Sequence, residues 1–168
     1  EIYTLSLHDA LPIFGRELGG HVSEVLPAGT DGDVPVMVPA AGQGALAVET
    51  RENLEQEDPE LAQVLSHIDN PVTRAAVTAE RAVLARLGAG CAAPVGALAV
   101  PTVAGSDTLS LKAVVASLDG RTVLCESAMA HLDQAEMLGV HVAQALLAAG
   151  ATRVANLQAG SPVRGERR

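Results

Sequence analysis

Leu61, Val64, Leu65 and Ile68 fall at the i, i+3, i+4 and i+7 spacing of one helix face. Asp58-Pro59 precedes them, an N-cap acceptor followed by a residue suited to the first helical position. Asn70-Pro71 repeats that start signal, and Val72, Ala76, Ala79, Val83 and Leu87 line one face of a second, longer helix. Gly88 follows, where a left-handed C′ residue would close the helix. The period then changes. Val95 to Val103, Leu109 to Ser117 and Arg121 to Glu126 read as strands, separated by Gly105-Ser106-Asp107 and by an Asp119-Gly120 hairpin signal. Asp133 with Glu136 three residues on has the form of a capping box, opening a last helix that ends near Gly150. Leu138, Val142, Ala145 and Ala149 form its stripe, with Leu146 alongside, and Arg153 to Leu157 could add a final strand. From residue 69 onward the order predicts a small α+β domain, an open antiparallel three-stranded sheet with helices on one face.

The earlier part is less regular. Val22 to Leu26 reads as a strand remnant before the loop at 28–33, and Val36 to Pro39 and Ala45 to Val48 read as two short strands around Gly42-Gln43-Gly44. Residues 1–13, EIYTLSLHDALPI, have no basic n-region or clean apolar h-region of a signal peptide. They resemble the in-frame translation of a sequencing-adapter oligonucleotide, and are read as a non-native artefact fused to a gene fragment.

Composition narrows the functions. Hydrophobic residues make up 48% of the chain but aromatics only 1%, so the core must be built from Ala, Val and Leu. That composition offers no aromatic platform for single-stranded nucleic acid. A formal charge of −9 also removes the basic field on which phosphate binding depends, so a nucleic-acid partner is not expected. No apolar run approaches the about 20 residues of a spanning helix. Cys91 and Cys125 form neither a CxxC pair nor a disulfide framework, and a soluble, cytoplasmic setting is the expectation.

Cys91 carries the sharpest chemistry. It follows Gly88-Ala89-Gly90 and precedes Pro94, in a loop of small residues that leaves room for a bulky group on the sulfur. Buried filler is the competing reading, since free cysteine packs as a small hydrophobe. The thiol follows a helix C-terminus, where the dipole opposes thiolate formation, so a group attached once and kept fits better than a nucleophile that turns over. Cys125, inside an apparent strand, reads as packing. Gly42-Gln43-Gly44 is a turn in the plain reading; in the sharper one the glycine amides and the Gln43 side chain face a polar ligand. His21, His67, His131 and His141 have no metal-ligand spacing, so no metal is expected. Glu80-Arg81 is either a solvated pair or a brace for the Cys91 loop.

The stretch TAERAVLARLGAGCAAPVG at 78–96, preceded by PAAGQGALAVETR at 39–51, closely resembles the C-terminal part of porphobilinogen deaminase, also called hydroxymethylbilane synthase. Both motifs match in order and spacing, and the likeness covers essentially residues 15–160. The resemblance implies an enzyme of tetrapyrrole and heme biosynthesis that joins four porphobilinogen units head to tail, releasing ammonia each time. It implies two catalytic domains like periplasmic binding proteins and a third that carries a dipyrromethane cofactor on a cysteine thioether. The attachment cysteine falls on Cys91. Residues 14–68 would be a remnant of the catalytic domains and 69–168 the cofactor-carrying domain. Gln43 and Gly44 would line the cleft, as part of the strand returning from the second domain to the first. The family's catalytic aspartate and carboxylate-binding arginines fall upstream, so no catalytic residue is assigned here. Lys112 is the single lysine, and the arginines are scattered. The full-length protein is expected to be an inner-cell monomer that touches neither membrane nor nucleic acid, and this piece alone is expected to be inactive. Two other readings compete: a small α+β ligand-binding or regulatory module without catalysis, and a thiol-dependent hydrolase, for which Cys91 has no convincing histidine partner.

Overall fold

Both Asx-Pro signals become helix starts. Asp58 Oδ1 accepts from the Leu61 amide at 3.0 Å and Asn70 Oδ1 from the Thr73 amide at 3.0 Å, satisfying donors that the first turn leaves open. The computed structural model describes residues 2–4, 37–90, 92–155 and 157. Their elements run β1 (Ile2–Thr4), β2 (Ala45–Ala47), α1 (Leu54–Glu57), α2 (Pro59–Ile68), α3 (Pro71–Leu87), β3 (Val95–Pro101), β4 (Thr108–Ala116), β5 (Val123–His131), a 3₁₀ turn (Leu132–Gln134), α4 (Ala135–Ala148) and α5 (Ala151–Val154).

Strands β3, β4 and β5 form an antiparallel meander in that spatial order. Alternation along β4 decides which face is covered: Leu109, Leu111, Ala113 and Val115 are all fully buried, while the residues between them are only partly so. The register carries that face across the sheet, setting Ala97 against Ala113 and Ala99 against Leu111 on one side, and Leu124 against Val115 on the other. Helices α3 and α4 close over it. Val83 and Leu87 from α3 and Leu138, Val142 and Leu146 from α4 join the strand residues in one core. Each fully buried Leu or Val contributes about 1.5–3 kcal/mol relative to exposure.

With so many alanines, the layers meet at backbone distance. A Cβ on Gly139 would lie 2.2 Å from the Ala79 carbonyl oxygen and 2.6 Å from the Ala82 Cβ, so α3 and α4 cross where one of them carries no side chain. The expected α+β domain is present, an open three-stranded sheet packed against helices, and several details differ from expectation. Strand β5 continues through His131, five residues past Glu126. Asp133 does not cap α4: its carboxylate meets His131 Nδ1 at 2.7 Å, and α4 starts behind Gln134 with no side-chain cap. On α4 the buried stripe is Ala135, Leu138, Val142 and Leu146, while Ala149 is exposed. The strand expected at Arg153 to Leu157 is not begun by Arg153, Val154 or Ala155, because Gly150 at φ +103° starts a new turn and the Ala155 amide bonds back to the Ala151 carbonyl. The stripe on α2 is real but uncovered, with Leu61, Val64 and Ile68 exposed. A second, two-stranded sheet pairs β1 with β2. The strand remnant at 22–26 and the loop at 28–33 lie outside the described residues, as does Val36; Met37 forms an isolated bridge.

Candidate functional site

The loop that carries position 91 is held at both ends by backbone bonds. Gly88 at φ +63° takes the left-handed conformation, its amide donates to Ala85 O at 3.2 Å, and the Ala89 amide donates to Leu84 O at 3.0 Å. That pair is a Schellman closure of α3, as the glycine signal predicts. At the far end the Pro94 carbonyl accepts from the Ala116 amide at 3.0 Å, which ties the exit of the loop to β4. Gly88, Gly90, Ala92, Ala93 and Pro94 line an open cavity of about 460 Å³, together with Leu118, Ala155 and Leu157. A Cβ built on Gly90 meets nothing within 4 Å. Cys91 itself lies outside the described residues.

The glycine turn is a tight one. Gly42 and Gly44 have φ of +73° and +85°, which a side chain would strain. The Gln43 amide donates to Ala40 O at 3.0 Å, and Gln43 Oε1 accepts from the Ala40 amide at 3.2 Å. Gln43 and Gly44 are exposed. The Gly42 amide is not offered to a ligand, however: it donates to Glu80 Oε2 at 2.6 Å. The sharper reading of this turn is corrected to that extent, and its plain reading as a turn stands.

Glu80 fits neither reading made for it. It is 6% exposed, far from a solvated pair, while its neighbour Arg81 is exposed. Its hydrogen bonds go to the Gly42 amide and, through Oε1 at 2.8 Å, to the Ala99 amide on β3. Burial raises the carboxyl pKa above its ordinary value, and the two donated bonds oppose that shift. A signal was available in the sequence: Glu80 stands four residues after Ala76 and three before Val83, inside the apolar stripe.

The turn and the cysteine loop are thus spaced along one helix. Glu80 precedes Gly88 by eight residues, about 12 Å of helix axis. Cys125 is exposed on β5, opposite Val114 on the uncovered face of the sheet, which corrects its reading as packing: Leu124 takes the inward position. His67, His131 and His141 are exposed. His21 lies outside the described residues. Among the described residues, no three His, Cys, Asp or Glu side chains gather as metal ligands, and no helix is long and apolar enough to cross a membrane.

Residues 74–148 match the family model described as porphobilinogen deaminase, C-terminal domain. That span contains most of α3, the cysteine loop, all three strands of the meander and α4. Curated relatives agree. The porphobilinogen deaminase of Acidothermus cellulolyticus is 50% identical over 132 residues, covering 77% of this chain and 39% of the relative. That of Mycobacteroides abscessus is 46% identical over 138 residues, 78% of this chain and 42% of the relative. That of Cutibacterium acnes is 44% identical over 143 residues, 79% of this chain and 42% of the relative. The chain therefore spans about two fifths of the length of these relatives. Residues 74–148 are thus similar to the C-terminal domain of the porphobilinogen deaminase family.

Proposed function

We propose that this chain is the cofactor-carrying part of a hydroxymethylbilane synthase, an enzyme of tetrapyrrole and heme biosynthesis working in the cytoplasm as a monomer. The full-length protein joins four porphobilinogen units into hydroxymethylbilane and releases one ammonia per unit. Residues 69–168 hold the dipyrromethane through a thioether to Cys91. Residues 14–68 belong to the two catalytic domains, with Gln43 and Gly44 on the wall of the substrate cleft.

The observation that supports the cofactor reading is the set of small residues on either side of position 91. An attached two-ring group needs a loop without bulky neighbours, and Gly88, Gly90, Ala92 and Ala93 supply one beside an open cavity. Cys125 lacks such a setting, standing in the middle of a strand on the sheet face. The C-terminus of α3 ends four residues before Cys91. Its partial negative charge disfavours a persistent thiolate, which suits a sulfur bonded once over one that is repeatedly freed. When attached, the dipyrromethane supplies the pyrrole end to which substrate units are joined. The protein's part is to tether that end, so that each joining step is intramolecular with a high effective concentration. Substrate acetate and propionate groups call for paired arginines or lysines. Arg81 and Arg86 lie on the exposed side of α3, and the reading assigns these partners and the catalytic acid to the part of the relatives that this chain does not span.

Intact-mass and peptide mass spectrometry of the full-length protein tests the reading. The expected result is a dipyrromethane adduct on Cys91 that is absent from Cys91→Ser; an active enzyme with an unmodified Cys91 overturns it.

A further inference from the structure

Strand β3 is the edge of the meander, and among the described residues no strand lies beside its outward amides at Ala97 and Ala99. Both are nevertheless satisfied. The Ala97 amide donates to Pro39 O at 2.9 Å and the Ala99 amide to Glu80 Oε1 at 2.8 Å. Glu80 Oε2 then accepts from Gly42 at 2.6 Å. One buried carboxylate therefore bridges a helix, a sheet edge and the glycine turn. Close backbone approach supports the same junction, since a Cβ on Gly96 would lie 2.5 Å from the Val38 carbonyl oxygen. Segment 38–42 is in effect strapped to β3 directly at Pro39 and, through Glu80, at Gly42.

We propose that Glu80 is a positioning residue: it holds the 40–44 turn, and with it Gln43 and Gly44, in fixed register against the helix whose end leads to Cys91. This rests on the cofactor reading above. The physical reason is leverage. The turn leaves the strap at Gly44, a glycine at positive φ that can swing, and enters β2 immediately afterwards. Without the Glu80 bridge, the turn would keep the Pro39 bond and the packing of Val38 and Ala41, but lose the hydrogen bonds that tie it at Gly42 to α3 and through Ala99 to β3. A displacement of about 1 Å between reacting partners is enough to cost on the order of a hundredfold in rate.

Glu80→Gln in the full-length enzyme tests this. Glutamine keeps one acceptor oxygen and turns an amide N–H₂ toward the second donor, so one of the two bonds is lost while the volume stays the same. The expected result is a full complement of adduct on Cys91 by mass, an unchanged KM for porphobilinogen, and a kcat per adduct-bearing molecule lowered by about tenfold to a hundredfold. Hydrogen exchange should quicken in the peptides containing Gly42 and Ala99 and stay slow in β4. Where the glutamine variant yields no folded protein, Gly96→Ala carries the test, because it forces the Val38 carbonyl off β3 without touching Glu80. Wild-type kcat at full adduct occupancy in the folded variant overturns the positioning role and leaves the cofactor reading intact. A wild-type enzyme that is active without an adduct on Cys91 overturns both.

Discussion

Gly139→Ala sets two effects of known sign against each other at the α3–α4 crossing. Replacing glycine in the middle of a helix by alanine ordinarily stabilises by about 0.5–1 kcal/mol, since glycine loses more backbone entropy on folding. Here the added methyl would sit 2.2 Å from the Ala79 carbonyl oxygen and 2.6 Å from the Ala82 Cβ. Neither atom belongs to a flexible side-chain end, so relief requires one helix to move against the core that both helices share. Overpacking of this kind costs about 1–3 kcal/mol, occasionally more. Because the contact is to backbone at well under van der Waals distance, the upper part of that range applies and the clash outweighs the propensity gain. The net expectation is a loss of roughly 1–2 kcal/mol, measured by urea denaturation of the chain with the slope held common. In a domain of this size the thermal midpoint falls by about 4–8 °C for each kcal/mol. Ala82→Gly on top of Gly139→Ala should recover only part of the loss, since it removes the 2.6 Å contact and leaves the carbonyl contact in place. A Gly139→Ala chain as stable as wild type, or more stable, would refute the close crossing.

The pH dependence of stability should carry a mark of Glu80. Its folded pKa is raised by burial, so between the unfolded value and the folded one the native state holds a proton that the unfolded chain has lost. Stability therefore falls as pH rises through that window and is level above it; urea titrations of wild type and Glu80→Gln should show wild type losing ground to the variant across it, and a gap that moves the other way refutes the assignment. In the core, Leu87→Ala should cost about 2–5 kcal/mol, whereas Val64→Ala on the uncovered α2 stripe, 57% exposed, should change the midpoint by less than about 0.5 kcal/mol. Equal losses at the two sites would mean that α2 is packed in solution. Cys125 should react fully with a thiol reagent in the native chain, since it is exposed on β5; protection until unfolding would put the outer sheet face against another surface.

What could be read along the sequence was whatever is decided locally. The caps of α2 and α3 and the Schellman glycine at 88 involve partners within a few residues, and each formed as read. The β4 stripe was equally open to reading, because a strict alternation fixes its faces. The failures have a common cause in partners that leave no local mark. Glu80 is satisfied by the amides of Gly42 and Ala99, 38 and 19 residues away, and a backbone amide has no letter in the sequence. Cys125 sits on the outer face because the register sets it against Val114 rather than against a buried neighbour. Asp133 was drawn to the ring of His131 instead of to the amides of α4, two local choices of similar quality between which the 3₁₀ turn decided. Gly96 and Gly139 did carry a signal, since an isolated glycine inside a strand or helix often marks a close backbone approach.

The arrangement of α3 follows from this shortage of large side chains. A core of alanine, valine and leucine without aromatics cannot position a loop by wedging rings beneath it. Position must come from backbone contact instead, and α3 makes three such contacts in order along its length. Ala79 meets the bare backbone of Gly139 on α4, and Glu80 on the next position takes the amides of β3 and of the glycine turn. Two turns later, Gly88 closes the helix and releases the cysteine loop, which rejoins the sheet at Pro94. Ala79 and Glu80 point to different neighbours from adjacent residues, so neither the α4 crossing nor the β3 bridge can slide without disturbing the other. The loop between the end of such a helix and β4 is anchored at its ends by backbone bonds, and its described residues are small. Anchored ends and small lining residues are the setting that the proposed tether at position 91 calls for, and one that a loop wedged by large side chains would lack.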